Sequence, residues 1–233
     1  MGDIVQRWRV TYRRGREAAG LAQRVELEAW ETAVSDAGLP VATTAGGHPR
    51  PRISMPPPLP AGLTGARELL DLLLVERRTS TEVRDRLVAA APTGHRIVDL
   101  FDVWVGAPPL PALVIAVDYT LTVRPGVGLE RLRTAVAGIL AAPRIERVRR
   151  KADRATPYDL RPFILGLGVQ GAGPEEAVVR MRLAVHPEQG TGRPDEVLAA
   201  ISDALGEPLE MTSGERIRIW TADEAVAPTG LVS

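Results

Sequence analysis

Polar and apolar residues alternate from Val5 to Tyr12, with Gln6, Trp8, Val10 and Tyr12 on one side and Arg7, Arg9 and Thr11 on the other. A period of two marks a half-buried strand. Between Glu17 and Asp36 the period changes. Ala22, Val25, Ala29 and Ala33 recur every three or four residues among charges, which predicts an amphipathic helix stopped near Gly38 and Pro40. Six prolines then fall between Pro49 and Pro60. Proline has no amide donor, so this crossing cannot be a central strand along its whole length. A strand is predicted from Glu68 to Val75. Thr79 and Glu82 have the spacing of a capping box, opening a helix to about Ala91, and Gly94 to Val105 returns as a strand.

Pro108, Pro109 and Pro111 break the pattern and predict a linker over residues 108–112. The order then begins again. Leu113 to Val123 reads as a strand, Leu129 to Leu140 as a helix, and Tyr158 to Val169 with Ala177 to His186 as a hairpin. Pro194 suits the first position of a helix, where Asp195 and Glu196 complement the positive end of the dipole. Arg216 to Thr221 alternates as the last strand, and residues 223–233 read as a loose tail. The expected class is α+β: two tandem ferredoxin-like β-α-β-β-α-β units, residues 1–107 with the Pro-rich crossing and residues 113–222. The halves share this predicted topology without a residue-level repeat.

Composition narrows the chemistry. The 233 residues are 45% hydrophobic but include only four Trp, three Tyr and two Phe, so aliphatic side chains must fill the core. Lys plus Arg equals Asp plus Glu at 29 each, so global charge selects neither a nucleic-acid nor a membrane partner. There is no cysteine, which excludes thiolate ligation of an iron–sulfur cluster and a thiol nucleophile. No apolar leader and no run of about 20 apolar residues is present, which makes the cytoplasm the expected location.

Local charge carries more. Arg180, Arg182 and His186 fall on one side of the strand Val178 to His186, and Arg216, Arg218 and Trp220 on one side of the last strand. Two readings stand for such a face. An open arginine-bearing sheet with an aromatic can hold RNA phosphates and stack a base; a polar seam would pair the same arginines with carboxylates. A second basic cluster comprises Arg144, Arg147, Arg149, Arg150, Lys151 and Arg154 against Glu146 and Asp153, and reads either as a phosphate grip or as a solvated turn. Asp159, Arg161 and Phe163 share one side of the predicted strand, where Asp159 and Arg161 are placed to pair. In the crossing, the run Gly46-Gly47-His48-Pro49-Arg50-Pro51-Arg52 joins a flexible start to a stiff basic segment in which Arg50 and Arg52 could bind an anion. It does not have the spacing of a P-loop. His48 is the one candidate for acid–base catalysis, and no metal-ligand spacing occurs.

The run Asp159-Leu160-Arg161-Pro162, followed by Gly190-Thr191-Gly192-Arg193-Pro194-Asp195-Glu196-Val197-Leu198, resembles a bacterial family of unknown function associated with radical SAM enzymes. Arg14-Gly15, Ala37-Gly38-Leu39-Pro40, Pro51-Arg52-Ile53-Ser54, Pro58-Leu59-Pro60 and Glu68 carry the same resemblance, in order, nearly from Val5 to Trp220. The chain departs from the family where a Ser-His-x-Asp segment usually opens the first helix; Ala22-Gln23-Arg24-Val25 stands there instead. In the crossing, Gly46-Gly47-His48-Pro49-Arg50-Pro51 replaces Gly-Phe-Asn-Pro-His-Pro.

The resemblance implies a separately encoded radical SAM enzyme as partner. That enzyme would carry the iron–sulfur cluster and S-adenosylmethionine, and this chain would hold no cofactor. It further implies RNA or a ribonucleoprotein as the object of the pair. The expected function is therefore an accessory recognition or adaptor protein without catalysis of its own. Its expected contact residues are Arg50, Arg52, Asp159, Arg161, Arg193, Arg180, Arg182, Arg216, Arg218 and Trp220. Two alternatives remain: a metal-independent RNA-processing enzyme using His48 with Arg50 or Arg52, and a purely structural docking module.

Overall fold

A computed structural model describes residues 3–151, 154–173 and 175–222. The tail expected over 223–233 lies outside the described residues, as do Ala152, Asp153 and the side chains of Arg150, Lys151 and Arg154. The fold is α+β, and the chain divides into two compact units, Met1–Val114 and Ile115–Ser233.

The N-terminal unit contains β1 (Gln6–Arg14), α1 (Gln23–Asp36), β2 (Ile53–Ser54), β3 (Thr64–Leu74), α2 (Ser80–Ala90), β4 (His95–Val103) and a short α3 (Leu110–Leu113). β1 lies between β3 and β4, and β2 adds antiparallel to β3, giving the order β2-β3-β1-β4. The Pro-rich crossing thus supplies a two-residue edge strand, the position where missing amide donors cost least. The core is the side of β1 bearing Trp8, Val10 and Tyr12, packed with Leu70, Leu72 and Leu74 of β3 and with Trp30 and Val34 of α1. Thr79 caps α2 by accepting the Glu82 backbone N–H, as its spacing predicts. The first helix begins at Gln23 rather than Glu17. A 3₁₀ turn over Arg16–Ala18 precedes it, held by the Arg14 guanidinium donating to the Ala18 and Leu21 carbonyls. No side chain caps α1, since Ala22 occupies the cap position. The expected linker is partly helical, with Leu110 fully buried.

The C-terminal unit contains β5 (Val114–Pro125), α4 (Leu129–Ala141), β6 (Glu146–Lys151), β7 (Arg154–Asp159), β8 (Ile164–Gly171), β9 (Ala177–His186), β10 (Gly190–Thr191), α5 (Pro194–Leu205) and β11 (Leu209–Thr221). β9 pairs β5 on one side and both β8 and β10 on the other, and β11 neighbours β5. Its four long strands run in the order β8-β9-β5-β11. Val117, Tyr119 and Leu121 of β5 oppose Leu183, Met181 and Val179 of β9, and all six are buried. α4 and α5 pack together, burying Leu132, Val136, Val197 and Ile201. Pro194 opens α5, as its spacing predicts.

Two further elements differ from the sequence reading. The basic cluster is a separate antiparallel hairpin, β6–β7. The strand expected from Tyr158 to Val169 is broken by a 3₁₀ turn at Arg161–Phe163, because proline at 162 fixes a helical φ and removes a ladder donor.

Candidate functional site

Of the nominated arginines Arg216 is buried and Arg161, Arg182 and Arg218 are half-buried, while Arg50, Arg52, Arg180 and Arg193 are exposed. Arg7 and Arg9, on the side of β1 expected to be open, are 3% and 8% exposed and converge on Asp71 of β3. Arg7 Nε and Arg9 Nε each donate to the Asp71 carboxylate at 2.9 Å. Arg7 also donates to the Ala107 and Pro108 carbonyls, so the turn after β4 folds over it. In the C-terminal unit Arg182 lies opposite Asp118 of β5 and grips both carboxylate oxygens, at 2.7 and 2.9 Å. The indole of Trp220 donates to the same Asp118 at 2.9 Å, and its ring meets the guanidiniums of Arg182 at 4.5 Å and Arg218 at 3.7 Å. Arg216 is 2% and Trp220 9% exposed, which corrects the outward placement read from alternation. The seam reading describes Arg182, which a carboxylate answers. Arg180 alone of this set is exposed.

The motif Asp159-Leu160-Arg161-Pro162 is a bracket. Asp159 Oδ1 accepts the backbone N–H groups of Ile145 and Arg161, at 2.8 and 3.0 Å. The hydrogen bond from Ile145 is the foremost cause that holds its carboxyl below the usual range. Arg161 turns away from Asp159 and donates to the carbonyls of Ile164 and of Leu140 near the end of α4. The two side chains therefore do not form the ion pair expected of them. Leu160 is fully buried beneath this turn.

What the bracket presents is an aromatic ladder. Tyr158, at the end of β7, meets Phe163 edge-on at 6.1 Å, and Phe163 meets His186 edge-on at 5.3 Å. The Arg149 guanidinium of β6 lies over the Tyr158 ring, 4.8 Å from its centre. One of its donors meets the Gln189 carbonyl at 3.1 Å. Among the described residues Arg149 has no carboxylate partner. The glycines of the second motif make this arrangement possible. Gly190 has φ +95°, and a Cβ there would stand 2.9 Å from Arg149 Nη1. A Cβ at Gly192 would stand 3.0 Å from the Cβ of Phe163.

Neighbouring charges frame the ladder. Arg147 Nη1 donates to Asp203 at 2.6 Å and its Nε lies 3.9 Å from Glu196, while Nε and Nη2 are buried without a hydrogen bond among the described residues. Arg193 pairs with Asp195 on the surface. Burial, and then the charge of Glu196, push the Tyr158 hydroxyl above its usual range, against the opposing charges of Arg149, Arg147 and Arg193. The structure thus gathers the basic hairpin and both motif neighbourhoods at one place.

The crossing residues separate. Arg50 pairs with Glu31 of α1, its Nε donating at 2.8 Å. His48 is exposed, and Arg52 lies in the wall of a cavity to which His48 does not contribute. Among the described residues no group of three or more His, Asp or Glu could hold a metal ion. Sequence reasoning missed Asp71 and Asp118, carboxylates placed among apolar strand residues. It also missed a buried cluster in which Glu26 meets Tyr12, Arg14 and His95.

The model of a family described as uncharacterized protein conserved in bacteria (DUF2344) matches residues 7–194. No curated protein sequence matches the chain. Among solved structures the chain is similar to a protein in a Cbf5-Nop10-Gar1 complex, at 12% identity and a TM-score of 0.48, covering 84% of this chain and 45% of that one. It is also similar to a protein assigned as a glycine cleavage system transcriptional repressor, at 11% identity and a TM-score of 0.27, covering 91% of this chain and 98% of that one. No helix among the described residues is long and apolar enough to cross a membrane.

Proposed function

The chain belongs to this bacterial family (DUF2344), and on that premise we propose that it is a recognition or adaptor component that works beside a separate radical SAM enzyme and contacts RNA or a ribonucleoprotein. The observation that carries the RNA part is the Arg149–Tyr158 pair. A guanidinium held over a ring, with donors to spare and no carboxylate, offers a charge to a phosphate and a surface to a base. Phe163 and His186 continue the aromatic edge behind it. The locked sheet arginines move this role from the sheet faces, where the sequence first directs it, to the hairpin.

The strand orders β2-β3-β1-β4 and β8-β9-β5-β11 have the same second-third-first-fourth arrangement, which supports two ferredoxin-like units. In this reading the β6–β7 hairpin is an insertion between the first helix and second strand of the later unit. The protein acts in the cytoplasm and leaves catalysis, with its cluster and S-adenosylmethionine, to the partner.

Affinity capture of the tagged chain from its native cells, with and without nuclease, tests the proposal. A stoichiometric radical SAM protein retained after nuclease, together with RNA recovered before it, is the expected outcome. Loss of the enzyme with the RNA would mean that RNA bridges the two. Absence of both would overturn the reading and leave a docking module.

A further inference from the structure

A cavity of about 440 Å³ lies in the N-terminal unit, within the range of small-molecule pockets. Leu27, Ile53, Leu73 and Val105 give it apolar walls, and Thr44 and Ser54 add hydroxyls. Its charged lining consists of Arg7, Asp71, Glu31 and Arg52. Three of these are already answered: Arg7 by Asp71, and Glu31 by Arg50. Arg52 is different. It is exposed, and among the described residues its guanidinium makes no hydrogen bond or ion pair. Its backbone is nonetheless fixed, since its N–H donates to the Ala42 carbonyl at 2.7 Å and it stands between Pro51 and β2. The cavity therefore has neutralised polar walls, an apolar lining and one unanswered cation on a stiff segment.

We propose that this cavity binds a small anion with a flat or apolar body. Its carboxylate or phosphate meets the Arg52 guanidinium, whose planar fork suits either group. Its body lies against Ile53, Leu73 and Val105. An adjoining cavity of about 360 Å³ also contains Arg52 but is lined by Asp3, whose charge opposes an anion there. The larger cavity is the site. Arg52 thus acts as the anchor for a small ligand, a role separate from the hairpin of the other unit.

Calorimetric titration of the full chain with UMP, AMP, phenyl phosphate, benzoate and inorganic phosphate tests this. At least one ring-bearing anion should bind saturably in the millimolar range or tighter, and inorganic phosphate about tenfold more weakly. Arg52→Ala should weaken the ring-bearing anion by about tenfold or more, with Arg52→Lys between the two. Val105→Trp, at a half-buried wall position, should block binding while the unfolding temperature stays near that of the wild type. Binding confined to nucleotides would identify the source as a nucleotide; binding of benzoate or phenyl phosphate without nucleotides would identify a simpler aromatic acid. The proposal fails if no ring-bearing anion saturates, if inorganic phosphate binds as well, or if Arg52→Ala changes nothing. Arg149→Ala should leave these affinities unchanged, so this result and the RNA result fail separately.

Discussion

In the N-terminal unit two guanidiniums, from Arg7 and Arg9, converge on Asp71, which is only 1% exposed. In the C-terminal unit the sheet repeats the device with Arg182, Asp118 and Trp220, while the β6–β7 hairpin holds Arg149 on Tyr158 with no carboxylate. The difference separates two uses of one residue type. Where these arginines are buried on a strand, a carboxylate answers them, Asp71 from the neighbouring strand for Arg7 and Arg9 and Glu26 from α1 for Arg14, because an unpaired buried charge is too costly. Where Arg149 sits on the β6–β7 hairpin, a ring supports it and no carboxylate among the described residues answers it.

Asp71→Ala breaks the first half of the comparison most severely. Removing the carboxylate on which two buried guanidiniums converge should cost about 3–5 kcal/mol, read from urea unfolding. A cost near zero would show that the convergence is incidental. Asp118→Ala should cost less, about 2–3 kcal/mol, because that carboxylate and Arg182 are partly solvated. Trp220 loses its hydrogen bond in this variant, so its fluorescence should change; an unchanged spectrum would contradict the contact.

The N-terminal unit also has a pH signature. Burial alone would raise the Glu26 carboxyl, but hydrogen bonding from His95, the charge of Arg14 and hydrogen bonding from Tyr12 outweigh it and hold the group below its usual range. A folded value below the unfolded one makes its stabilisation complete above the ordinary carboxylate range and lost as pH falls through the folded value. Glu26→Gln should flatten that acid limb of the stability curve, and an unaltered limb would refute the linkage. The smallest expected effect is at the α2 cap: Thr79→Ala should lower stability by about 1 kcal/mol, and Thr79→Ser should restore most of it.

The helices and long strands were legible because their periodicities are strong and their caps local. Thr79 with Glu82, and Pro194 with its acidic neighbours, marked two helix starts from within a few residues. The turn at Arg161–Phe163 was missed because apolar residues on both sides imitate one strand across it. The nominated arginines illustrate the harder limit. Alternation shows that Arg182 faces away from Val179 and Leu183, but only the pairing register brings Asp118 opposite it. The same holds for Asp71 and Arg9. The ladder was half legible: its basic residues and both motifs stood out, but Tyr158, Phe163 and the roles of Gly190 and Gly192 needed the folded arrangement.

The hairpin cation, rather than a sheet face, is the proposed contact with nucleic acid. Binding of a fluorescent single-stranded RNA should be followed by anisotropy across a salt series for the wild type, Arg149→Ala and Arg180→Ala. Affinity should fall with salt. Arg149→Ala should weaken binding about tenfold at low salt and lower the salt slope by roughly one phosphate contact, while Arg180→Ala should change little. Salt-insensitive binding, no binding, or a loss confined to Arg180→Ala would contradict that contact.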